Sequence, residues 1–281
     1  MRNVLILVAL VGSALAACAA PVQDSADGGP MLAVRVMSYG KFQDAALKHL
    51  QEIGVHYVFL AVPAPGDVNA TMTELAAHGL KPVVLRGDTD LSKDSAVDEL
   101  ATQLATCEKM GVHYVFLSAK RNDAPKEAVF ERLRKAGDIA GKHGVMITLE
   151  THPDLGTNGD VHLETMKAIN NPHVRVNFDT ANITYYNRDA DSVAELKKVL
   201  DFLGTIEFKD HNGEFETWNF PVVGKGIIDF PAIMAILKER GYQGPVTIEF
   251  EGVKGVELTE EQTKQAIADS VAYVRTLGSF R

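Results

Sequence analysis

From residue 32 onward, apolar positions alternate between two rhythms. Short β-branched and aromatic runs cover 32–37, 56–62, 82–85, 113–117, 145–149, 174–178, 205–208 and 246–250, and they predict strands. Stretches with helical spacing lie between them, among them 44–53, 95–110, 127–143, 192–203, 231–240 and 260–277. Gly54, Gly111, Gly144 and Gly241 stand where such stretches give way to the next strand, the stop signal of an αβ turn. Gly-Val-His-Tyr-Val-Phe-Leu occurs at 54–60 and again at 111–117, a spacing that fits two strand–helix units. Eight strands alternating with helices over about 250 residues predict an α/β chain, a single-domain (β/α)8 barrel over 31–281. The competing fold, an open doubly wound sheet, calls for a glycine-rich phosphate loop after a strand, and the chain has none.

The second half of the chain splits each strand into an apolar and a polar face. Val145, Ile147 and Leu149 oppose Met146, Thr148 and Glu150; Val174, Val176 and Phe178 oppose Arg175, Asn177 and Asp179. Ile206 and Phe208 oppose Thr205, Glu207 and Lys209; Val246, Ile248 and Phe250 oppose Thr247, Glu249 and Glu251. The apolar face must meet the helices, so the polar face points into the barrel. Glu150, Asp179, Glu207 and Glu249 are therefore aimed at the C-terminal mouth, where active sites of this fold lie. Four converging carboxylates repel one another unless protons or cations neutralise them. Lys209 and Arg175 could supply internal counter-charges. A divalent metal held by all four is the alternative, and oxygen ligation suits Mn²⁺ or Mg²⁺.

Composition narrows the function classes. Hydrophobic residues make up 46% and charged residues 23%, as in a globular protein, and the formal net charge is −9. That balance disfavours a general nucleic-acid binder. Two cysteines give no disulfide framework; Cys107 sits in a helical pattern as a small core residue. Residues 1–17 place Arg2 before an apolar run too short to span a bilayer, as in a secretory signal. Leu15-Ala16-Ala17-Cys18 resembles the bacterial lipobox, which implies cleavage before Cys18 and its acylation. An ordinary signal peptide cleaved after a small-x-small triplet such as 14–16 is the alternative. Residues 18–30 read as lipidated Cys18 followed by a Gly/Pro-rich tether, so the expected location is the cell envelope, with membrane contact through the anchor alone.

The strings ITLETHP (147–153), VNFDTAN (176–182), EFKDHNG (207–213), VGKGIIDF (223–230) and GYQGPVTIEFE (241–251) resemble the sugar phosphate isomerase/epimerase superfamily, the xylose isomerase-like barrels. The resemblance implies metal ligation by Glu150, Asp179 and Glu249 and proton exchange by Glu150 and Glu249. It places His152 in the family's Glu-x-His motif. Two positions depart from it: Glu207 stands where many members have a ligand His, and Asn182 stands in place of another. Glu207 can still ligate; His211, four residues on, could swing in instead.

The chemistry so implied is proton transfer next to a carbonyl through an enediolate, with a metal stabilising the developing charge and two carboxylates as base and acid. The expected partner is a small carbohydrate. Lys209, His152 and His211 are candidate substrate contacts. Trp218 could stack on a sugar ring or pack beneath its loop, and Arg86 could meet substrate or serve the surface. Three functions compete: an isomerase or epimerase; a lyase, dehydratase or hydrolase on an oxidised sugar or glycoside; and a barrel that binds carbohydrate without turnover. An abasic-site endonuclease of the same superfamily needs several His ligands from the early strands, whose mouths here offer Ser38, Val62, Arg86 and Ser118.

Overall fold

The computed structural model describes residues 28–118 and 120–281; Cys18 and the signal segment lie outside these. Strands β1 (Met31–Arg35), β2 (Tyr57–Ala61), β3 (Lys81–Arg86), β4 (Tyr114–Leu117), β5 (Met146–Glu150), β6 (Val174–Asp179), β7 (Leu203–Phe208) and β9 (Pro245–Ile248) pair in parallel, and β9 returns to β1 to close a barrel. Around it run α1 (Ala46–Glu52), α2 (Val68–Ala77), α3 (Ala96–Met110), α4 (Lys126–Lys142), α5 (Gly159–Ile169), α7 (Ser192–Val199), α8 (Phe230–Glu239) and α9 (Glu260–Arg275). At the mouth, β8 (Asn219–Phe220) and β10 (Gly252–Val253) form a two-stranded antiparallel sheet that ties the segment after β7 to the segment after β9. The chain is thus a single (β/α)8 barrel, as its periodicity predicts. Gly29 and Pro30 already join the rim, their carbonyls accepting from Arg281.

Alternation along the strands separates two interiors. Val34, Val58, Leu85, Val115, Ile147, Val176, Ile206 and Val246 are buried in the layer between barrel and helices; each such side chain contributes roughly 1.5–3 kcal/mol. Inside the barrel, β1 to β4 present Ala33, Phe59, Val84 and Phe116 as a separate apolar cluster. Strands β5, β6, β7 and β9 present buried Thr148, Asn177, Thr205 and Thr247 instead. One half of the lumen is dry and aromatic, the other hydrogen-bonded. Gly204 permits the close approach of β7: a Cβ there would stand 2.7 Å from Thr148 Cγ2 and 2.9 Å from Arg175 Cβ.

One helix lies outside the expected pattern. Residues Thr180–Tyr186 form α6, although Thr, Asn and Tyr are weak helix formers. Asp179, last residue of β6, compensates as its N-cap: Oδ1 accepts from the N–H groups of Ala181 and Asn182, both at 2.9 Å.

Asp210 performs a structural task at the other side of the mouth. Its carboxylate accepts N–H bonds from His211 (2.9 Å), Gly224 (2.8 Å), Gly226 (2.7 Å) and Ile228 (3.3 Å). It thereby shapes the Val-Gly-Lys-Gly-Ile-Ile segment, and Gly226 packs so closely that a Cβ would stand 2.2 Å from Asp210 Oδ1. Asp210→Asn puts an amide donor against two N–H donors. It is expected to cost about 2–3 kcal/mol and to lower Tm by roughly 4–10 °C, measured by thermal denaturation of the full chain.

Candidate active site

Five acidic side chains and two cations converge at the C-terminal end of the wet half of the barrel. Glu150 ends β5, Asp179 ends β6, Glu207 lies on β7, and Glu249 directly follows β9. Asp179 pairs in register with Glu207 across the sheet, and Glu207 with Thr247. One carboxylate oxygen from each of Glu150, Asp179 and Glu207 lies within 4.8 Å of the other two, and all three residues are buried.

Division of labour within Asp179 sets up this cluster. Oδ1 is spent on the α6 cap, whereas Oδ2 is buried without a hydrogen-bond partner. The nearest cation to Oδ2 is Lys209 Nζ, at 3.7 Å. A buried carboxylate oxygen left open among two further carboxylates is a donor set suited to a hard divalent cation. The buried acidic triad Glu150, Asp179 and Glu207 can hold one.

Glu249 is held differently. Arg35 Nη1 contacts its Oε1, and Lys209 Nζ lies 3.2 Å from Oε2. Arg35 also donates to Glu207 Oε1 at 3.1 Å, and Asn177 Nδ2 donates to Glu207 Oε2 at 2.8 Å. Asn177 is itself fixed by Thr205 Oγ1 at 2.6 Å. The Arg35 guanidinium stands 4.9 Å from the Phe59 ring centroid and 5.1 Å from that of Phe116, so cation–π attraction supports it from the dry half. Lys209 contacts Glu251 as well and bonds Asn182 Oδ1 at 3.3 Å.

Electrostatics follow from this placement. Burial opposes the charge of Arg35, but Glu249 and Glu207 outweigh it and push the pKa above its ordinary value. Lys209 is raised in the same way by Glu249, Asp179 and Glu251. Burial pushes Glu207 well above the carboxylate range despite Arg35, and Asp179 up to about 7 despite Lys209. Burial acts on Glu249 too, yet Arg35 and Lys209 prevail and hold it below its usual value. The cations thus favour the ionised form of Glu249, whereas burial favours the protonated forms of Glu207 and Asp179.

The remaining candidates sit around this centre. His152 is half-buried, its ring edge-on to Tyr186 at 5.0 Å, with Nδ1 on the Pro153 carbonyl. His211 has both ring nitrogens engaged: Nδ1 with Thr184 Oγ1 at 2.8 Å, and Nε2 with the Thr217 carbonyl at 2.9 Å. It does not swing in; Glu207 occupies the cluster. Burial lowers the His211 pKa. Arg86 ends β3 in the interior phase, with a buried Nε lacking a partner. Trp218 both packs and shows itself, edge-on to Phe220 at 5.2 Å yet 41% exposed. Arg175 is no counter-charge to the mouth. Its guanidinium bonds the Asn171 and Val174 carbonyls at 3.0 Å, because it lies near the opposite end of β6 from Asp179. Arg35, Asn177 and Glu251 are the site residues that sequence reasoning missed.

The xylose isomerase-like TIM barrel model matches residues 37–277. The chain belongs to that family. An L-ribulose 3-epimerase of Methylomonas sp. is 28% identical over 230 residues, 70% of this chain and 74% of the relative. An inosose dehydratase of Serratia proteamaculans is 24% identical over 193 residues, 57% of this chain and 64% of the relative. The chain spans about half to two thirds of the length of the first curated relatives it matches. Among solved structures, a D-allulose 3-epimerase from Methylomonas sp. in complex with D-allulose superposes with a TM-score of 0.71 at 16% identity, covering 89% of this chain and 98% of that one. This shared barrel scaffold places Glu150, Asp179, Glu207 and Glu249 at strand ends.

Two outcomes test the charge arrangement. Arg35→Met leaves the ionised Glu249 without its guanidinium and is expected to cost about 3–5 kcal/mol; Arg35→Met/Glu249→Gln recovers most of that, as read by denaturant unfolding. In chelator-treated protein, Asp179 keeps its proton up to about pH 7 when folded but releases it near 3.8 when unfolded. The folded state then binds more protons across that window, so stability falls as pH rises through it. Tm is expected to decline by several degrees from pH 5 to 7.5, and added Mn²⁺ to restore it most at the upper end.

Proposed function

We propose that this chain is a divalent-metal-dependent carbohydrate isomerase or epimerase that works by proton transfer next to a carbonyl. The observation that carries this reading is the open Asp179 Oδ2 within the Glu150–Asp179–Glu207 triad, beside a Glu249 kept ionised by two buried cations. Glu150, Asp179 and Glu207 would hold the metal, with Mn²⁺ or Mg²⁺ best suited to carboxylate oxygens. When bound, the ion polarises a carbonyl oxygen and stabilises charge developing on it.

The chain's own groups account for the proton movements. Glu249, ionised and buried, is the base that takes the proton from the carbon beside the carbonyl. Glu150 reaches the same mouth from three strands away around the wall and returns a proton on its own side. Exchange between these two carboxyls inverts the carbon or shifts the carbonyl to it. Lys209, fixed by Glu249, Glu251 and Asn182, presents a cation to a hydroxyl or its developing anion. His152 and Arg86 stand at the rim, where their N–H groups donate to substrate hydroxyl oxygens.

The match to an inosose dehydratase favours one second reading. There the same abstraction is followed by departure of a hydroxyl from the next carbon with a proton, as water. Incubation with a panel of ketoses and oxidised cyclitols in D₂O separates the two. An isomerase or epimerase introduces deuterium without loss of mass, whereas a dehydratase product lacks one water. Glu249→Gln is expected to lower either rate by at least about 10³-fold; wild-type-like exchange in that variant would remove Glu249 from the chemistry. Export and lipid anchoring through Cys18 belong to the same proposal, tested by globomycin-sensitive processing and palmitate labelling of Cys18.

A further inference from the structure

A cavity of roughly 430 Å³ opens beside the mouth, between the segment after β1 and the segments after β7 and β9. Its walls include Lys41, Phe42, Trp218, Glu251, Glu257 and Thr263. None of Glu150, Asp179, Glu207 and Glu249 lines it, yet it shares a wall with them. Glu251 faces the cavity, and its carboxylate contacts Lys209, whose Nζ lies 3.2 Å from Glu249. The volume falls in the range of small-molecule sites, about 300–1,000 Å³.

Trp218 stands on the wall of this cavity. Its carbonyl accepts from Lys254 N–H at 2.9 Å, beside the β8–β10 pairing, so the backbone is clamped to the segment after β9. Its ring meets Phe220 and Tyr185 edge-on, at 5.2 and 6.1 Å. The indole is thus fixed in place while 41% of the residue remains exposed. Folding has restricted the ring while leaving part of the residue open. A partly open aromatic residue, with Phe42 and carboxylate, ammonium and hydroxyl groups on the same wall, matches a sugar ring: apolar C–H groups on its faces, hydroxyls at its edge.

We propose that this cavity is a second subsite, which seats the non-reacting ring of a glycoside while the reacting ring lies among Glu150, Asp179 and Glu249. The inference rests on the proposed function and narrows its substrate class to two-ring carbohydrates. Binding energy from the remote ring then positions the reacting one.

The test uses the full chain carrying Glu150→Gln/Glu249→Gln, which prevents turnover. Trp218 is the only tryptophan in the sequence, so its emission reports the cavity directly. Cellobiose, lactose and phenyl β-glucoside are expected to shift or quench that emission with Kd at least tenfold below those of glucose and fructose. Phe42→Ala is expected to erase the difference and leave single-ring binding unchanged. Equal Kd for one and two rings, or no response from any of them, overturns the subsite. So does a change in sedimentation mass for Trp218→Ala, which would assign the cavity to contact with a second copy. Deuterium exchange on free ketoses in wild type, with no two-ring preference, overturns the subsite alone. Two-ring preference without exchange on any substrate overturns the catalytic reading and leaves the subsite standing.

Discussion

Everything at the barrel mouth depends on where the Arg35 guanidinium rests. It comes from the dry half of the lumen, lies over Phe59 and Phe116, and reaches across to Glu207 and Glu249. Burying that many carboxylates in one place is unfavourable unless charge is returned to them. Arg35 and Lys209 return part of it, unevenly. Glu249 receives both cations and stays ionised; Glu207 and Asp179 are left with burial as the larger effect. The pattern separates a base from a cation site without any difference in residue type.

Much of this was legible in the sequence, and for a simple reason. A barrel strand has only two faces, so period-two alternation with one greasy face fixes which residues point inward. Glu150, Asp179, Glu207 and Lys209 follow from that rule directly. The same rule applied to β1, where Arg35 shares the phase of Ala33 against Leu32 and Val34, also points Arg35 inward. The runs of the first half carry no acidic residue on that face, so the lone cation inside the 32–37 run stands apart from the pattern that marks the later strands. Arg175 illustrates the converse limit: phase gives the face but not the depth, and depth decides whether a cation meets the carboxylates.

Helix α6 and Asp210 show what patterning misses for another reason. Residues 180–186 carry one strong helix former, Ala181, and the cap from Asp179 organises them. Asp210 belongs to a motif that resembles catalytic machinery, yet its oxygens are occupied by backbone N–H groups of a loop many residues away. The carboxylate and the loop fix one another through that pairing. Such long-range backbone contacts have no local signature in the chain.

The repeated heptapeptide has a consequence beyond its symmetry. It supplies Phe59 and Phe116, whose rings lie 5.3 Å apart and line one side of the lumen with groups that have no permanent dipole to reorient. Arg35 sits against those rings with its charge turned toward Glu207 and Glu249, so its field runs from the aromatic side of the lumen to the polar one. Little dielectric response on the aromatic side dampens it. A neutral but dipolar guest would be turned by that field on entry, so its carbonyl end is oriented before any side chain touches the reacting carbon.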